Sequence, residues 1–246
     1  MNKYSSCLIA LMCTVTMFMV SGCSENDQDQ PEILISNTLF EEGAEGWEAQ
    51  YAEYEAGLED SLKFSYSYDN FMASPSIGFV TAMVQTGIAS NSDLFMYIKR
   101  EIVGFEPNAS YSVIFNVEMF AQLEEDFSGD LTSKNNGAFL KVSVYQDEPD
   151  TLIVEDMENP GKMVVQTNFD KGENRVTGPN MALIGKLTYT KMGETPLLLV
   201  GTSEADEILG TADDEGKMWM MIGVDTNQPI YQSIFYSYIG ITFIKQ

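Results

Sequence analysis

A cluster of aromatic side chains early in the chain is the first candidate for binding chemistry. Tyr51, Tyr54, Tyr66, Tyr68 and Phe71 lie close together in the sequence. Aromatic rings stack on flat or CH-rich ligands, and a tyrosine adds a hydroxyl that forms hydrogen bonds. Because residues two apart in a strand point to the same side, Tyr66 and Tyr68 would share one face. We expect these side chains to line a polar, aromatic groove; the alternative is an ordinary half-exposed sheet face.

The two tryptophans offer ring faces of the same kind. Trp47 follows a glycine-containing turn, and Trp219 lies within the apolar run 218–222. Either ring could be a stacking platform for a ligand or a core residue. The apolar neighbours favour the core for Trp219. Trp47 is a candidate stacking platform for a ligand, and a core position is the alternative.

Two acidic runs could bind a cation. Asp213, Asp214 and Glu215 precede Gly216, and the second run occupies 124–126. Ca²⁺ takes about six to eight oxygen ligands, and carboxylates on a glycine-containing loop can supply several of them. Neither run has EF-hand spacing. The residues 213–215 are therefore the candidate ligands of a structural Ca²⁺; the alternative is a solvated loop of an acidic protein.

Composition removes several kinds of chemistry. The chain of 246 residues has no histidine, which excludes a Ser-His-Asp triad, a Cys-His dyad and histidine-ligated zinc or haem. Its 37 Asp and Glu against 13 Lys and Arg give a formal charge of −24, which repels the phosphate backbone of nucleic acids. A carboxylate pair could still hydrolyse a glycosidic bond, but in so acidic a chain some pair is close by chance. The sequence therefore predicts a protein without catalysis and without a nucleic-acid partner.

The N-terminal residues have the pattern of an export signal. Lys3 supplies a positive charge, an apolar segment follows at 7–20, and VSGC stands at 20–23. The apolar segment has the length of a secretory signal and is too short to span a membrane. The last four residues resemble the lipobox of bacterial lipoproteins. The resemblance implies a cleaved signal peptide at 1–22 and a lipidated N-terminus at Cys23; the alternative is an ordinary signal peptide with an incidental cysteine.

A lipid anchor would hold the protein outside the cytoplasm at a membrane. Two or three acyl chains give a stable attachment, whereas one chain binds only marginally. Ser24 follows Cys23, and the resemblance implies that a residue other than Asp at this position directs the protein to the outer membrane. The polar, acidic residues after Cys23 lead us to expect a short flexible tether over 23–32.

From residue 33 onward the sequence has the period-two pattern of β-strands. Apolar and mostly polar residues alternate along 111–119 and 140–145. Further strand candidates are 95–103, 183–190, 196–200, 218–224 and 233–244. Glycine- and proline-containing turns separate these segments, and none has a capped helical period. We predict a single all-β domain at 33–246, a jelly-roll-like β-sandwich of two antiparallel sheets.

Three segments resemble the jelly-roll β-sandwiches of carbohydrate-binding modules and galactose-binding-like domains. They are FEEGAEGW at 40–47, GFEPNASYSV at 104–113 and IFYSYIGI at 234–241. The first two, with DKGEN at 170–174 and GKMWMMIG at 216–223, also resemble a set of secreted bacterial lipoproteins. The resemblance implies a jelly-roll fold, glycan binding and, in many such modules, a structural Ca²⁺.

These observations predict a lipid-anchored envelope protein that binds a glycan or another extracytoplasmic ligand without catalysis. The first alternative is a structural or assembly role in contact with another envelope protein, and the second is a carboxylate-based glycosidase. A face with exposed Tyr or Trp near Asn or Asp favours glycan binding. A large exposed apolar patch favours a protein partner, and a deep pocket with two facing carboxylates favours the glycosidase.

Overall fold

The computed structural model describes residues 32–74, 76–89, 94–123, 137–173, 175–187, 189–195, 197–204, 208–226 and 231–246. The predicted signal peptide, Cys23, most of the tether and the acidic run 124–126 lie outside these residues. Within the described ranges the regular elements are sixteen strands. In chain order they are β1 (Ile33–Thr38), β2 (Glu48–Ala52), β3 (Tyr54–Glu55), β4 (Ser65–Ser74), β5 (Gly78–Ile88), β6 (Leu94–Val103), β7 (Ser110–Leu123), β8 (Ala138–Tyr145), β9 (Thr151–Glu155), β10 (Met163–Thr167), β11 (Ala182–Lys186), β12 (Thr190–Lys191), β13 (Leu199–Thr202), β14 (Leu209–Thr211), β15 (Lys217–Thr226) and β16 (Tyr231–Lys245).

These strands form three sheets. An eight-stranded sheet follows the path β12–β7–β16–β5–β4, with β1 also paired to β16 and with β13 and β14 paired to β7. A five-stranded sheet has the order β11–β8–β15–β6–β2, and a three-stranded sheet has the order β3–β10–β9. The prediction of an all-β fold built from stacked sheets is confirmed. The prediction of two antiparallel sheets is corrected, because β10 pairs with β3 and with β9 in a sheet of their own, and because β12 runs parallel to β7.

The main core lies between the two larger sheets. Odd-numbered residues of β7, such as Val113 and Phe115, are buried toward it, and even-numbered residues of β15, such as Met220 and Ile222, are buried from the other side. Full burial of one such side chain contributes about 1.5–3 kcal/mol. The side-chain alternation of strands therefore leaves the odd-numbered residues of β15 on the outer face of the five-stranded sheet.

A β-bulge in β16 explains why its apolar pattern changes phase. The pairing of β16 with β7 shifts between Tyr236 and Tyr238, so that Ser237 is the extra residue. Ile234 and Tyr236 reach the core before the bulge, and Ile239 and Ile241 reach it afterwards. One inserted residue reverses which positions face inward, and so the long strand stays buried on one side along its length.

A second, smaller core lies on the outer face of the five-stranded sheet. Phe95, Tyr97 and Met221 are completely buried there, together with Ala52 and Met181. This face is covered by Met181 and by residues of 146–173, which we name the covering segment. Its Phe169 ring lies 6.2 Å from that of Phe95 and 5.9 Å from that of Tyr97, both edge-on. One part of the face is thus closed, and only the remainder is open to a ligand.

Candidate functional site

The predicted tyrosine cluster lies where the edges of the two larger sheets meet. Tyr51 is on β2, and its hydroxyl donates to the backbone oxygen of Ser65 on β4 at 2.6 Å. The Tyr51 ring stacks on that of Phe64 with centroids 4.1 Å apart. Burial raises the pKa of the Tyr51 phenol above its ordinary value. The residue therefore remains a neutral donor that joins the two sheet edges.

We name the contact of Tyr51, Tyr54 and Phe64 at these sheet edges the seam. The other tyrosines of the cluster pack near the main core or face the solvent. The ring of Tyr54 meets that of Phe64 edge-on at 4.9 Å, and Tyr68 packs against the main core. Tyr66 has 58% of its surface exposed. Phe64 fills the space between Tyr51 and Tyr54, so these two rings close the side of the sandwich. Ligand binding by Tyr66 and Tyr68 stays a prediction.

Two further aromatic candidates are placed away from this seam. Phe71 lies on the opposite face of β4 from Tyr66 and Tyr68, with its ring 4.5 Å from that of Phe235. Trp47 is 2% exposed, and its indole Nε1 donates to the hydroxyl of Thr38 at 3.1 Å. Since a buried ring has no free face, the platform prediction for Trp47 is corrected to its alternative, a core position.

The predicted calcium loop is a tight turn that leads into β15. Asp213 Oδ1 accepts from the backbone N–H groups of Glu215 at 2.9 Å and Lys217 at 2.8 Å. Glu215 pairs with the ammonium of Lys217, and Asp214 is exposed. In the described part of the chain, no three acidic or other metal-ligating side chains are grouped to hold a metal ion. In this structure the side chains of Asp213 and Glu215 serve the turn, and Ca²⁺ binding at 213–215 and at 124–126 stays a prediction.

A row of side chains crosses the open part of the five-stranded sheet and includes Trp219, for which the sequence favoured a core position. Trp219 on β15 is paired directly with Glu101 on β6 and with Tyr145 on β8. Trp219 and Tyr145 are half-buried, and Glu101 is exposed. The Tyr145 hydroxyl donates to the backbone oxygen of Asn180 at 3.0 Å, which fixes the ring. We name Glu101, Trp219 and Tyr145 the aromatic row.

A buried cation supports the aromatic row from one side. The Lys99 ammonium lies 5.3 Å from the centre of the Trp219 ring, a distance at which a cation is attracted to a ring face. Lys99 is 2% exposed, and it donates to Glu148 at 2.5 Å and to the backbone oxygen of Pro149 at 3.0 Å. The covering segment thus holds Lys99 in place, and Lys99 in turn restrains the Trp219 ring.

On the same face of the sheet, toward the C-terminal end of β15, buried charges tie the covering segment to the sheet. Asp225 Oδ2 lies 2.7 Å from Lys171 Nζ and 3.2 Å from Lys141 Nζ, and Lys171 also lies 2.9 Å from Glu53. Lys141 and Asp225 are completely buried. Burial pulls the pKa of Lys171 down, but attraction to Asp225 and Glu53 carries it above its ordinary value; burial lowers the pKa of Lys141. The cluster contains two positive and two negative side chains, so its charges balance. We interpret it as a structural contact that holds the covering segment on the sheet.

An acidic cleft of about 850 Å³ lies beside the three-stranded sheet. Its wall includes Tyr54, Lys162 and the acids Glu53, Glu55, Glu155, Asp156 and Glu158. Hydrogen bonds from the Asn159 side chain and the Glu158 backbone lower the pKa of Asp156. A glycosidase needs one carboxyl whose pKa is raised so that it donates a proton. Asp156 is held in the opposite, ionised state.

No protein-family model and no curated protein matches the sequence. Solved structures match it at low identity. One is the enzymatically active domain of tailspike protein 4 of bacteriophage CBA120, at 9% identity and a TM-score of 0.32, with 80% of this chain and 20% of that chain covered. The chain thus spans about a fifth of that protein.

Two of the other matched structures are similar to the chain over nearly their whole length. The CBM22-1 xylan-binding domain from Paenibacillus barcinonensis has 12% identity, 88% and 97% coverage of the two chains and a TM-score of 0.36. A carbohydrate-binding module described for specific mannan recognition, TmCBM27, has 10% identity, 87% and 99% coverage and a TM-score of 0.36. Similarity at this level carries no argument about the ligand of the present chain.

Proposed function

We propose that this chain is a glycan-binding protein that uses the aromatic row and does not catalyse a reaction on its ligand. One observation carries the proposal: Trp219 presents a half-buried indole on an open sheet face, in direct register with Tyr145 and Glu101. The flat ring of a tryptophan suits the CH-rich face of a sugar ring. Glu101 supplies carboxylate oxygens that accept hydrogen bonds from sugar hydroxyls.

The side chains of the aromatic row are held in place by the protein itself, as in a pre-formed binding surface. Tyr145 is held by Asn180, and Trp219 is backed by the Lys99 ammonium. Side chains that are already ordered lose little rotamer entropy when a ligand binds. A weak ligand such as a single sugar ring can therefore be held by a small contact area.

The charges around the row favour neutral sugars over acidic ones. Glu101 and Glu148 are exposed beside Trp219, and Glu48 is paired in register with Lys99. Two lysines lie near these acids, and both are already bonded: Lys99 to Glu148 and Lys217 to Glu215. A uronic acid or a sulfated sugar would meet the carboxylates of Glu48 and Glu101, which form no ion pair among the described residues, whereas neutral hexoses and pentoses carry no charge to be repelled.

The cellular setting is part of the same proposal. The lipobox-like VSGC at 20–23 supports lipidation of Cys23, and Ser24 supports a destination at the outer membrane. In the described residues no helix is long and apolar enough to cross a membrane. We infer an anchor made of lipid at Cys23, and replacement of Cys23 by Ala should release the protein from membranes.

A glycan array probed with the mature chain tests the binding proposal. We expect neutral polysaccharides to be retained and uronic or sulfated ones to be rejected. Trp219→Ala should abolish retention. The matched control is Tyr66→Ala, which removes an exposed ring next to the seam and should leave retention intact. Loss of binding in the Tyr66 variant with full binding in the Trp219 variant would show that the site is next to the seam. Absence of binding to any glycan would refute the proposal.

A further inference from the structure

The outer face of the eight-stranded sheet carries a group of exposed aliphatic side chains. In one row of the sheet, Leu209 is paired with Ser112, Ser112 with Ile244, and Ile244 with Ile33. In the next row on that face, Ile114 is paired with Thr242, and Thr242 with Ile35. The five aliphatic residues of these two rows form what we name the aliphatic face: Ile33, Ile35, Ile114, Leu209 and Ile244.

Three of the five residues of the aliphatic face are exposed, Ile114 and Ile244 are half-buried, and none is charged. Leu209 is 67% exposed, Ile35 66% and Ile33 53%. The seven positions in the two rows include no Asp, Glu, Lys or Arg, although the chain contains 37 acidic and 13 basic residues. At the rim, Lys245 is paired with Glu106 and lies 3.6 Å from Glu32. Soluble surfaces seldom group exposed aliphatic residues without charge unless the group has a partner.

The position of this face along the chain indicates its partner. Strand β1, which contributes Ile33 and Ile35, is the first strand after the predicted tether. The nine residues 24–32 separate it from Cys23, and nine extended residues span at most about 32 Å. A lipid on Cys23 would therefore keep the aliphatic face close to a bilayer, where a high effective concentration makes even a weak contact effective.

We propose that the aliphatic face lies on the surface of the bilayer that holds the lipid anchor. This inference rests on the proposed lipidation of Cys23 and is independent of the proposed glycan binding. Aliphatic side chains enter the interface favourably, and no charged side chain in the two rows has to be desolvated. The acidity of the whole chain requires the lipid surface to be zwitterionic rather than anionic.

Docking through the aliphatic face would also set the direction in which the aromatic row points. The aliphatic face is on the outer side of the eight-stranded sheet, and Trp219 is on the outer side of the five-stranded sheet, with the main core between them. Docking through the aliphatic face therefore turns the aromatic row away from the bilayer. A glycan could reach the row without passing the membrane surface.

Site-directed fluorescence on the lipidated chain tests the orientation. The mature chain has no cysteine besides Cys23, so an introduced cysteine is the one free thiol once Cys23 is lipidated. A fluorophore is attached at Leu209→Cys and, as the matched control, at Met157→Cys, which is 96% exposed between β9 and β10. The protein is placed in phosphatidylcholine vesicles that carry nitroxide-labelled acyl chains. We expect quenching at 209 to exceed quenching at 157 several-fold, and Ile35→Asp to remove most of the difference.

The outcomes of this experiment separate the proposed lipid anchor at Cys23 from the proposed docking of the aliphatic face. Protein that does not float with the vesicles refutes the anchor and, with it, the docking. Protein that floats but is quenched equally at 209 and 157 refutes the docking alone. Cross-linking of Leu209→Cys to a second copy, or to another protein, with weak lipid quenching shows that a protein covers this face and also refutes the docking.

Discussion

The Lys171 ammonium lies 2.7 Å from Oδ2 of Asp225, and so connects the covering segment with the C-terminal end of β15. The Asp225 side chain is completely buried, and Lys141 lies 3.2 Å from the same oxygen. Lys141 also donates to the backbone oxygen of Lys171 at 2.9 Å. These contacts therefore attach the covering segment to the five-stranded sheet. The covering segment in turn binds Lys99, whose ammonium lies against the Trp219 ring.

Replacement of Lys171 by Met should destabilise the protein strongly. It leaves Asp225 and Glu53 with one lysine between them in a buried site, and breaking a buried pair costs about 3–5 kcal/mol. Urea unfolding of the variant measures the loss. The matched control is Lys162→Met, because Lys162 forms an exposed pair with Glu55 at 3.0 Å, and exposed pairs contribute about 0–1 kcal/mol. Equal losses in the two variants would contradict this assignment.

Replacement of Tyr97 by Phe should leave stability unchanged or raise it. The Tyr97 hydroxyl is buried and has no hydrogen-bond partner among the described residues; an unsatisfied buried polar group costs about 1–3 kcal/mol. The matched control is Tyr145→Phe, which loses the 3.0 Å bond to Asn180 and should be less stable by about 1 kcal/mol. Calorimetry of both variants gives the comparison, and a clear loss in Tyr97→Phe would show that its hydroxyl has a partner.

The buried tyrosines also predict how stability responds to alkali. Burial raises the pKa of Tyr97 and of Tyr51. A group with a raised pKa in the folded state contributes stability that is fully present below the unfolded pKa, about 10 for tyrosine, and that is lost as the pH rises toward the folded value. The free energy of unfolding should therefore fall above about pH 10, and less steeply in Tyr97→Phe. Identical slopes for the variant and the parent chain would contradict the assignment.

Gly223 should tolerate no side chain, because the ring of Phe95 occupies its outer side. A Cβ at Gly223 would lie 2.3 Å from the Phe95 ring and 3.2 Å from Tyr97 Cβ. We expect Gly223→Ala to cost about 1–3 kcal/mol, as overpacking does. Gly185→Ala is the control in the same sheet, since a Cβ added at Gly185 would have no neighbouring atom within 4 Å. Chemical denaturation that gives the same stability for both variants would argue against this packing.

The strands were more predictable than the site, for a physical reason. Period-two alternation requires only local sequence, and it marks β7 and β15 correctly within a few residues. The same rule contained the signal for the aromatic row: in the apolar run 218–222, even-numbered residues enter the main core and Trp219 points the other way. Composition alone suggested a core tryptophan, and alternation would have placed it on the outer face.

The other differences come from contacts between segments far apart in sequence. Phe64 joined two of the clustered tyrosines in the seam, and Thr38 accepted the indole N–H of Trp47. The burial of Lys141 depends on residues of the covering segment, and no local pattern predicts that contact. The jelly-roll topology and the lipidation of Cys23 stay predictions.

Tryptophan fluorescence gives the most direct measurement of the proposed binding surface. The chain has two tryptophans, of which Trp47 is buried and Trp219 is half-buried. A neutral glycan retained on the array is titrated into the mature chain and into Trp219→Phe, whose one remaining tryptophan is Trp47. We expect a saturable change in emission in the parent chain and none in the variant. An equal, saturable change in Trp219→Phe, or glycan binding that leaves the emission of the parent chain unaltered, would contradict a site built on Trp219.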